Sequence, residues 1–379
     1  LWKGWFEDTI DPWKDAHPGP IQLLHVDGDL YSSAITVLTK LNDRIVPGTV
    51  IIFDYHNDYT TLNIPNVNVI DAKINPRLLE ADQFSEVLEI RENADVQQRV
   101  LRMSFTQEVK EAGEFWKKLE YEVDLLVNSE DKKLKEIRTS AYRVQDIIED
   151  AQRRFDDILD PEIGNPMDYI KEGCTNIINI SELSEKQANV AMGFYLQQLL
   201  KDRKNATIAK HGKSKKQKDY KFFEPVFIIL EEAHVFIPKD HDTAAKYWAA
   251  KIAREGRKFG VGLAIVSQRP RSVDLNILSQ MGSFAIMKII QEDDQRQIAS
   301  ATESTSRELI SQLTSLNVGD AVLVGQWTNL PSMVHVEEVK EKKMGADQSA
   351  TKAWIKADKM KNVGVESTQG LVQKDLLLD

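Results

Sequence analysis

The feature that most constrains the fold is a repeated pattern of short apolar runs that end in polar groups and are separated by helix-periodic stretches. Val226 to Leu230 is followed by a helical stretch from Thr243 to Phe259, and then by a second apolar run, Gly262 to Ser267. The same alternation continues on both sides: strand Asn176 to Ile180, helix Glu185 to Leu200, strand Ser283 to Ile290, helix Asp294 to Ala301 and strand Ala321 to Gly325. Strands alternating with helices predict an α/β fold with a mostly parallel sheet covered by helices. Before this region, residues 79–160 are charge-laced, almost free of Gly and Pro, and apolar at spacings of three and four (Leu88, Val96, Val100, Leu101), which predicts a bundle of helices.

The strand ends carry the chemistry. Val226 to Leu230 runs into Glu231 and Glu232, the arrangement that a nucleotide hydrolase uses when one acid reaches Mg²⁺ through water and the next orients the attacking water. Adjacent acids after a strand also serve as plain helix caps, so the pair alone leaves both roles open. The next strand ends in Gln268, which could sense a γ-phosphate or its attacking water, or could be an ordinary loop residue. Ligands of open α/β sheets bind at the carboxyl ends of the strands, so Glu231, Glu232 and Gln268 are predicted to converge on one edge. Between the strands, Arg254 and Arg257 are either solvated helix residues or arginine fingers for a neighbouring subunit.

Composition narrows the partners. The net charge of −10 excludes a surface that is basic all round, so any DNA contact must come from a local patch or a pore. One island stands out, Lys201, Arg203, Lys204, Lys210, Lys213, Lys215, Lys216 and Lys218; it reads as a loop that either tracks phosphates or is merely solvated. The single cysteine, Cys174, allows no intramolecular disulfide, and no run of about 20 apolar residues is present, which predicts a cytoplasmic protein without a membrane span.

Leu230 to His234 (LEEAH) followed by Ala253 to Asp274 (AREGRKFGVGLAIVSQRPRSVD) resembles the HerA/FtsK-type family of ring ATPases that move on double-stranded DNA. The resemblance extends from about Asp54 to residue 340. Asp54 to Tyr59 (DYHNDY) resembles the family element D-P-H-x-E-Y, with Tyr55 in place of Pro and Asp58 in place of Glu. Asn68 to Pro76 and Leu88 to Asn93 resemble the entry to an inserted helical bundle, and Leu313 to Val324 resembles the last core strand. The resemblance implies a RecA-like core, ATP and Mg²⁺ as cofactors with Asp54, Glu231 and Gln268 near the nucleotide, double-stranded DNA as partner, a homo-hexamer or mixed ring, and a nuclease partner in end processing. It divides the chain into a strand and linker at 55–78, the bundle at 79–160, the core at 161–340 and a polar tail at 341–379 that could brace a neighbouring subunit.

Such an ATPase needs a Walker A loop, G-x-x-x-x-G-K-[ST], between a strand and a helix. The sequence contains none; Gly212-Lys213-Ser214 lacks the first Gly, whose place is taken by Thr207, and no apolar strand precedes it. The core is therefore predicted to be incomplete and not autonomously active. Residues 1–54 carry a different resemblance. Lys3 to Thr9, Leu24 to Ser33 and Val46 to Asp54 resemble the macrocin O-methyltransferase family, which implies S-adenosylmethionine and a divalent metal, with Asp27 and Asp54 as the paired carboxylates. Here a strand-like run, Ile21 to Val26, and a helical run, Ser32 to Leu41, precede the strand that ends at Asp54. A third possibility is a non-catalytic interaction protein built on the helical bundle.

Overall fold

The computed structural model describes residues 49–336 apart from 61–65, 92, 211–219, 303–306, 327 and 329. Asp27 and the rest of residues 1–48, the basic residues Lys213, Lys215, Lys216 and Lys218, and the tail at 341–379 lie outside the described residues.

Five strands form one sheet in which every pairing is parallel: β1 (Thr49–Asp54), β2 (Val67–Asp71), β3 (Thr175–Asn179), β4 (Val226–Leu230) and β5 (Val261–Ile265). Their spatial order is β2-β3-β1-β4-β5, so β1 is central and β5 is an edge. Ile51, Ile228 and Phe53 are buried because parallel strands with helical crossovers bury their side chains under those helices. The chain then leaves this sheet. Strands β6 (Ser283–Ile286), β7 (Asp320–Gly325) and β8 (Ser332–His335) make a separate antiparallel sheet. The predicted continuation of the parallel sheet through Ser283 and Ala321 is corrected accordingly: β6 and β7 are paired with β8, a strand that the sequence reading did not include.

Helices fill the segment between β2 and β3: α1 (Ala81–Val87), α2 (Asp95–Ser104), α3 (Gln107–Glu111), α4 (Phe115–Val127), α5 (Lys132–Lys135) and α6 (Arg138–Arg154). Their shared core is aromatic, with Phe84 stacked on Phe105 at 4.6 Å between ring centroids and Phe115 edge-on to both. Offset and edge-to-face contacts of this sort add to the burial of the rings themselves.

Two helices cover one face of the parallel sheet, α7 (Glu185–Lys210) and α9 (Ala244–Glu255). The first opens on a capping box in which Ser184 Oγ accepts from the Gln187 N–H at 3.3 Å and the Gln187 side chain accepts from the Ser184 N–H at 2.8 Å. The second is capped by Thr243, whose hydroxyl accepts from the Lys246 N–H at 2.9 Å. The two helices meet where Gly193 faces Ala244; a Cβ at Gly193 would lie 2.7 Å from the Ala244 Cβ.

Helix α7 runs on to Lys210, well past the predicted end at Leu200, and this changes the reading of the basic island. Arg203 is buried, and its guanidinium donates to the Phe222 and Phe223 carbonyls at 2.6 Å and to the Phe259 carbonyl at 3.0 Å. Its neighbour Asp202 accepts from the Lys221 and Phe222 N–H groups at 2.6 and 2.8 Å, and Lys204 pairs with Glu255 at 2.8 Å. Arg203 and Lys204 are therefore structural ties between the end of α7, the start of β4 and the end of α9, not members of a phosphate-tracking loop. Among the described residues no helix is long and apolar enough to cross a membrane.

Candidate active site

The carboxyl edge of the sheet gathers the predicted acids. Strand β4 ends at Leu230, and the hydrogen bonds Val266 N–H to Leu230 O and Ala233 N–H to Val266 O, both 2.9 Å, hold the segments beyond β4 and β5 side by side. Between them Glu232 adopts φ 45° and ψ 44°, the left-handed region that a residue with a Cβ enters at a cost of roughly 1–3 kcal/mol. This backbone turn starts the short helix α8 (Ala233–Phe236) and separates the directions of the two acids.

Glu232 has three close neighbours. The Gln268 amide donates to its Oε1 at 3.1 Å, His56 Nε2 lies 3.5 Å from the same oxygen, and His234 Nδ1 lies 3.1 Å from Oε2. The last is a close approach without hydrogen-bond geometry: His234 Nδ1 shares a hydrogen bond with the Ser267 hydroxyl at 3.3 Å, and the buried Glu232 Oε2 makes none. Burial is the main cause that lowers the His234 pKa, with Arg269 and His56 adding to it, while Glu232 and Glu185 pull the other way. Burial prevails, so the ring is neutral at pH 7.

Glu231 is held from a different strand. Its Oε1 accepts a hydrogen bond from the Tyr59 hydroxyl, and the Tyr59 pKa is raised, first by burial and then by that bond and the Glu231 charge. Tyr59 is placed by Asp54, which is fully buried at the end of β1. One Asp54 oxygen accepts from the Asp58 N–H and the other from the Tyr59 N–H, both at 2.9 Å. Asp54 therefore organises the loop that carries Tyr59. Asp27, its expected partner carboxylate, lies outside the described residues.

The arrangement can orient a water and a phosphate. Glu232 and Gln268 present a carboxylate and an amide at one edge, with Glu231 behind them and the exposed guanidinium of Arg269 beside Gln268. Mg²⁺ keeps several waters and takes one or two carboxylates plus phosphate oxygens, so a single strand-end carboxylate such as Glu231 fits the water-mediated part of that shell. Among the described residues no group of three or more His, Cys, Asp or Glu converges as a metal cage.

Arg254 and Arg257 are not brought to this edge. Helix α9 runs back from the carboxyl edge, and both arginines are exposed near its end, where the chain re-enters the sheet at Val261. A 12-residue helix spans about 18 Å, which separates them from the acids of their own subunit. The sequence reading assigned no role to His56, Tyr59, His234 or Arg269. The first two lie within the D-P-H-x-E-Y-like element and the third within LEEAH, so motif membership was the available signal.

The family model for the central domain of the helicase HerA matches residues 33–199. The family likeness therefore begins by residue 33, ahead of Asp54, where the sequence motifs alone placed its start. A DNA double-strand break repair helicase HerA of Sulfolobus acidocaldarius is 35% identical over 354 residues, which cover 89% of this chain and 68% of the relative. The corresponding protein of Sulfurisphaera tokodaii is 37% identical over 347 residues, again 89% of this chain and 68% of the relative. Solved structures of similar fold include VirB4 of Thermoanaerobacter pseudethanolicus, with a TM-score of 0.54 at 15% identity over 82% of this chain and 86% of that one. The plasmid coupling protein TrwB, in complex with a non-hydrolysable ATP analogue, has a TM-score of 0.52 at 10% identity over 83% of this chain and 82% of that one. The α/β architecture with its parallel sheet is that of these two structures, and the identity and coverage of the relatives place this chain in the HerA helicase family.

Proposed function

We propose that this chain is a subunit of an ATP-dependent double-stranded DNA translocase of DNA-end processing, and that it does not turn over ATP on its own. The observation that carries the reading is the convergence of Glu231, Glu232 and Gln268 at the ends of β4 and β5, with Glu232 fixed in the left-handed conformation. In this reading Glu232 orients or deprotonates the attacking water while the Gln268 amide holds the carboxylate and responds to the γ-phosphate. Glu231, fixed by Tyr59, holds a water of the Mg²⁺ shell, and the ion, when bound, supplies charge neutralisation to the phosphates. Arg254 and Arg257, out of reach of their own site, serve a neighbouring subunit of a hexameric or mixed ring.

The absence of G-x-x-x-x-G-K-[ST] from the sequence removes the phosphate cradle, which supports a dependence on subunits that carry one. The helical segment 79–160 is an insertion in a core that resumes at 161–340, the tail at 341–379 braces a neighbour, and a nuclease is the working partner of the ring in the cytoplasm. Sugar O-methyl transfer with S-adenosylmethionine finds no support among the relatives, which are HerA helicases.

The test is ATP hydrolysis by the full chain, with and without double-stranded DNA, alone and mixed with a Walker A-bearing family member. No turnover alone, and DNA-stimulated turnover in the mixture that changes when the chain carries Glu232→Gln, is the expected result. DNA-stimulated turnover by the chain alone would overturn the dependence, and a mixture indifferent to Glu232→Gln would leave an interaction protein.

A further inference from the structure

The loop after β5 and the start of α9 are joined twice. Val273 forms an antiparallel bridge with Pro238, where the Lys239 N–H donates to the Ser272 carbonyl at 3.0 Å and the Asp274 N–H to the Ile237 carbonyl at 2.9 Å. The second join is an ion pair, Lys246 Nζ to Asp274 Oδ2 at 3.1 Å, between side chains that are only 14% and 13% exposed. Asp274 caps the short helix α10 (Leu275–Leu278), and its other oxygen accepts from the Asn276 and Ile277 N–H groups at 2.9 and 3.3 Å. The ammonium group has two further partners, Asp242 at 3.2 Å and the His241 carbonyl at 3.1 Å, which occupy its remaining donors. The Asp242 side chain is 98% exposed, so solvent screens that pair and Asp274 is the carboxylate that fixes Lys246.

Capping α10 needs one side-chain oxygen, which Asn supplies as well as Asp. The second Asp274 oxygen reaches back to a different helix, and the residues at the two ends of that connection are the ones that bear on nucleotide chemistry. At one end stands Gln268, in the same loop as Asp274 with the turn Pro270–Ser272 between them, and its amide donates to Glu232 at 3.1 Å. At the other end, Lys246, Ala250 and Arg254 follow at intervals of one helical turn along α9 and line one groove, about 350 Å³ in volume, against Asp274, Asn276 and Gln280. Arg257 lies past the end of α9, in the turn Gly256–Phe259.

We propose that the Lys246–Asp274 ion pair is a positioning link between the Gln268 loop and Arg254, through which the state of one nucleotide site sets the arginine presented to the next subunit. The link rests on the ATPase reading, in which Gln268 responds to the γ-phosphate and Arg254 serves a neighbour. Gln268 then has two discrete partners, the Glu232 carboxylate and a phosphate oxygen, and an exchange between them moves the loop that ends at Asp274. The ion pair passes that movement to the first turn of α9, and Arg254, two turns or about 12 Å further along the same rigid helix, moves with it. Without the ion pair the backbone bridge holds only the segment ahead of α9, and Arg254 loses its register with Gln268.

The test uses the full chain mixed with a Walker A-bearing family member whose counterparts of Arg254 and Arg257 are alanine, so that DNA-stimulated ATP turnover draws on arginines from this chain. Asp274→Asn keeps the cap of α10 and removes the charge, Lys246→Met removes the ammonium group from the other side, and Lys246→Arg keeps it. Circular dichroism and thermal unfolding establish that each variant is folded. Asp274→Asn and Lys246→Met are expected to lower kcat by about 10- to 100-fold, the scale of a misplacement of roughly 1 Å, with KM changed by less than about twofold. Lys246→Arg should restore turnover to near the parent value. In a chain that already carries Arg254→Ala, adding Asp274→Asn should lower kcat no further, because a link acts only through the residue that it positions. Parental kcat in folded Asp274→Asn and Lys246→Met chains overturns the link, and so does a further loss on top of Arg254→Ala. A mixture without turnover, or one indifferent to Arg254→Ala, overturns the ATPase reading in trans and the link with it, whereas dependence on Arg254 without dependence on Asp274 overturns the link alone.

Discussion

The Tyr59 hydroxyl donates to the Glu231 carboxylate across 172 positions of sequence, tying the loop after β1 to the end of β4. The bond gives the acid one orientation, and Asp54 gives the tyrosine its own through two backbone N–H groups. Removing the hydroxyl with Tyr59→Phe is expected to cost about 1–2 kcal/mol at pH 7 by urea denaturation. The pH dependence has a definite sign. The Tyr59 pKa is raised above 10.0, so the fold favours the protonated phenol; its contribution is full below pH 10 and is lost as the pH rises beyond that. Tyr59→Phe should flatten the alkaline loss of stability, and the part that remains includes Tyr195, whose pKa burial also raises.

Glu232 stores strain in the left-handed region at φ 45°. Glu232→Gly should stabilise the protein by about 1 kcal/mol, because glycine enters that region without a Cβ penalty. Glu232→Gln keeps the Cβ and should show no gain from this source. Chemical denaturation of the three proteins side by side checks both statements, and a glycine variant less stable than the glutamine variant would contradict the strain argument.

His234 titrates in the opposite sense to Tyr59. Its pKa lies below 6.5 because burial disfavours the imidazolium, so the neutral ring contributes stability that is present above pH 6.5 and is lost as the pH falls through the lowered value. His234→Gln should therefore lose less stability on acidification than the parent protein. The His234 ring resonances, followed by NMR, should titrate below pH 6.5.

Arg203 anchors the return of the chain from α7 to β4, and Arg203→Met should cost about 2–4 kcal/mol because three carbonyls lose a charged donor in a buried site. The exposed Lys201, changed to Met in the same way, should shift stability by less than about 0.5 kcal/mol. Thermal unfolding distinguishes the two. A DNA-binding titration of the folded Arg203→Met protein should match the parent.

The contact between α7 and α9 depends on a missing Cβ. With the Ala244 Cβ 2.7 Å from where one would stand, Gly193→Ala should destabilise by about 1–3 kcal/mol despite its better helix propensity. Calorimetry of this single variant checks the close approach, and a rise in Tm would show that the helices lie farther apart.

The sequence by itself determined the parallel strands, the long helices and the position of Glu231 and Glu232 at a strand end. These follow from local rules: β-branched runs form strands, apolar residues at three and four make helix stripes, and ligand-facing acids follow buried strands. It also carried the family motif from Leu230 to His234. Tertiary structure decided what local pattern does not encode. Arg203 looked like a solvated cation in a basic island, and only the fold surrounds it with the Phe222, Phe223 and Phe259 carbonyls. Asp54 stood in the sequence only as an acid at a strand end, and the turn after β1 aims the Asp58 and Tyr59 N–H groups at its two oxygens. The departure of β6 and β7 into an antiparallel sheet with β8 depends on pairing between distant strands, a choice made by long-range hydrogen bonds and not by the composition of either strand. Burial, hydrogen-bond partners and strand neighbours are properties of the packed chain, and they assigned these residues roles that their place in the sequence left open.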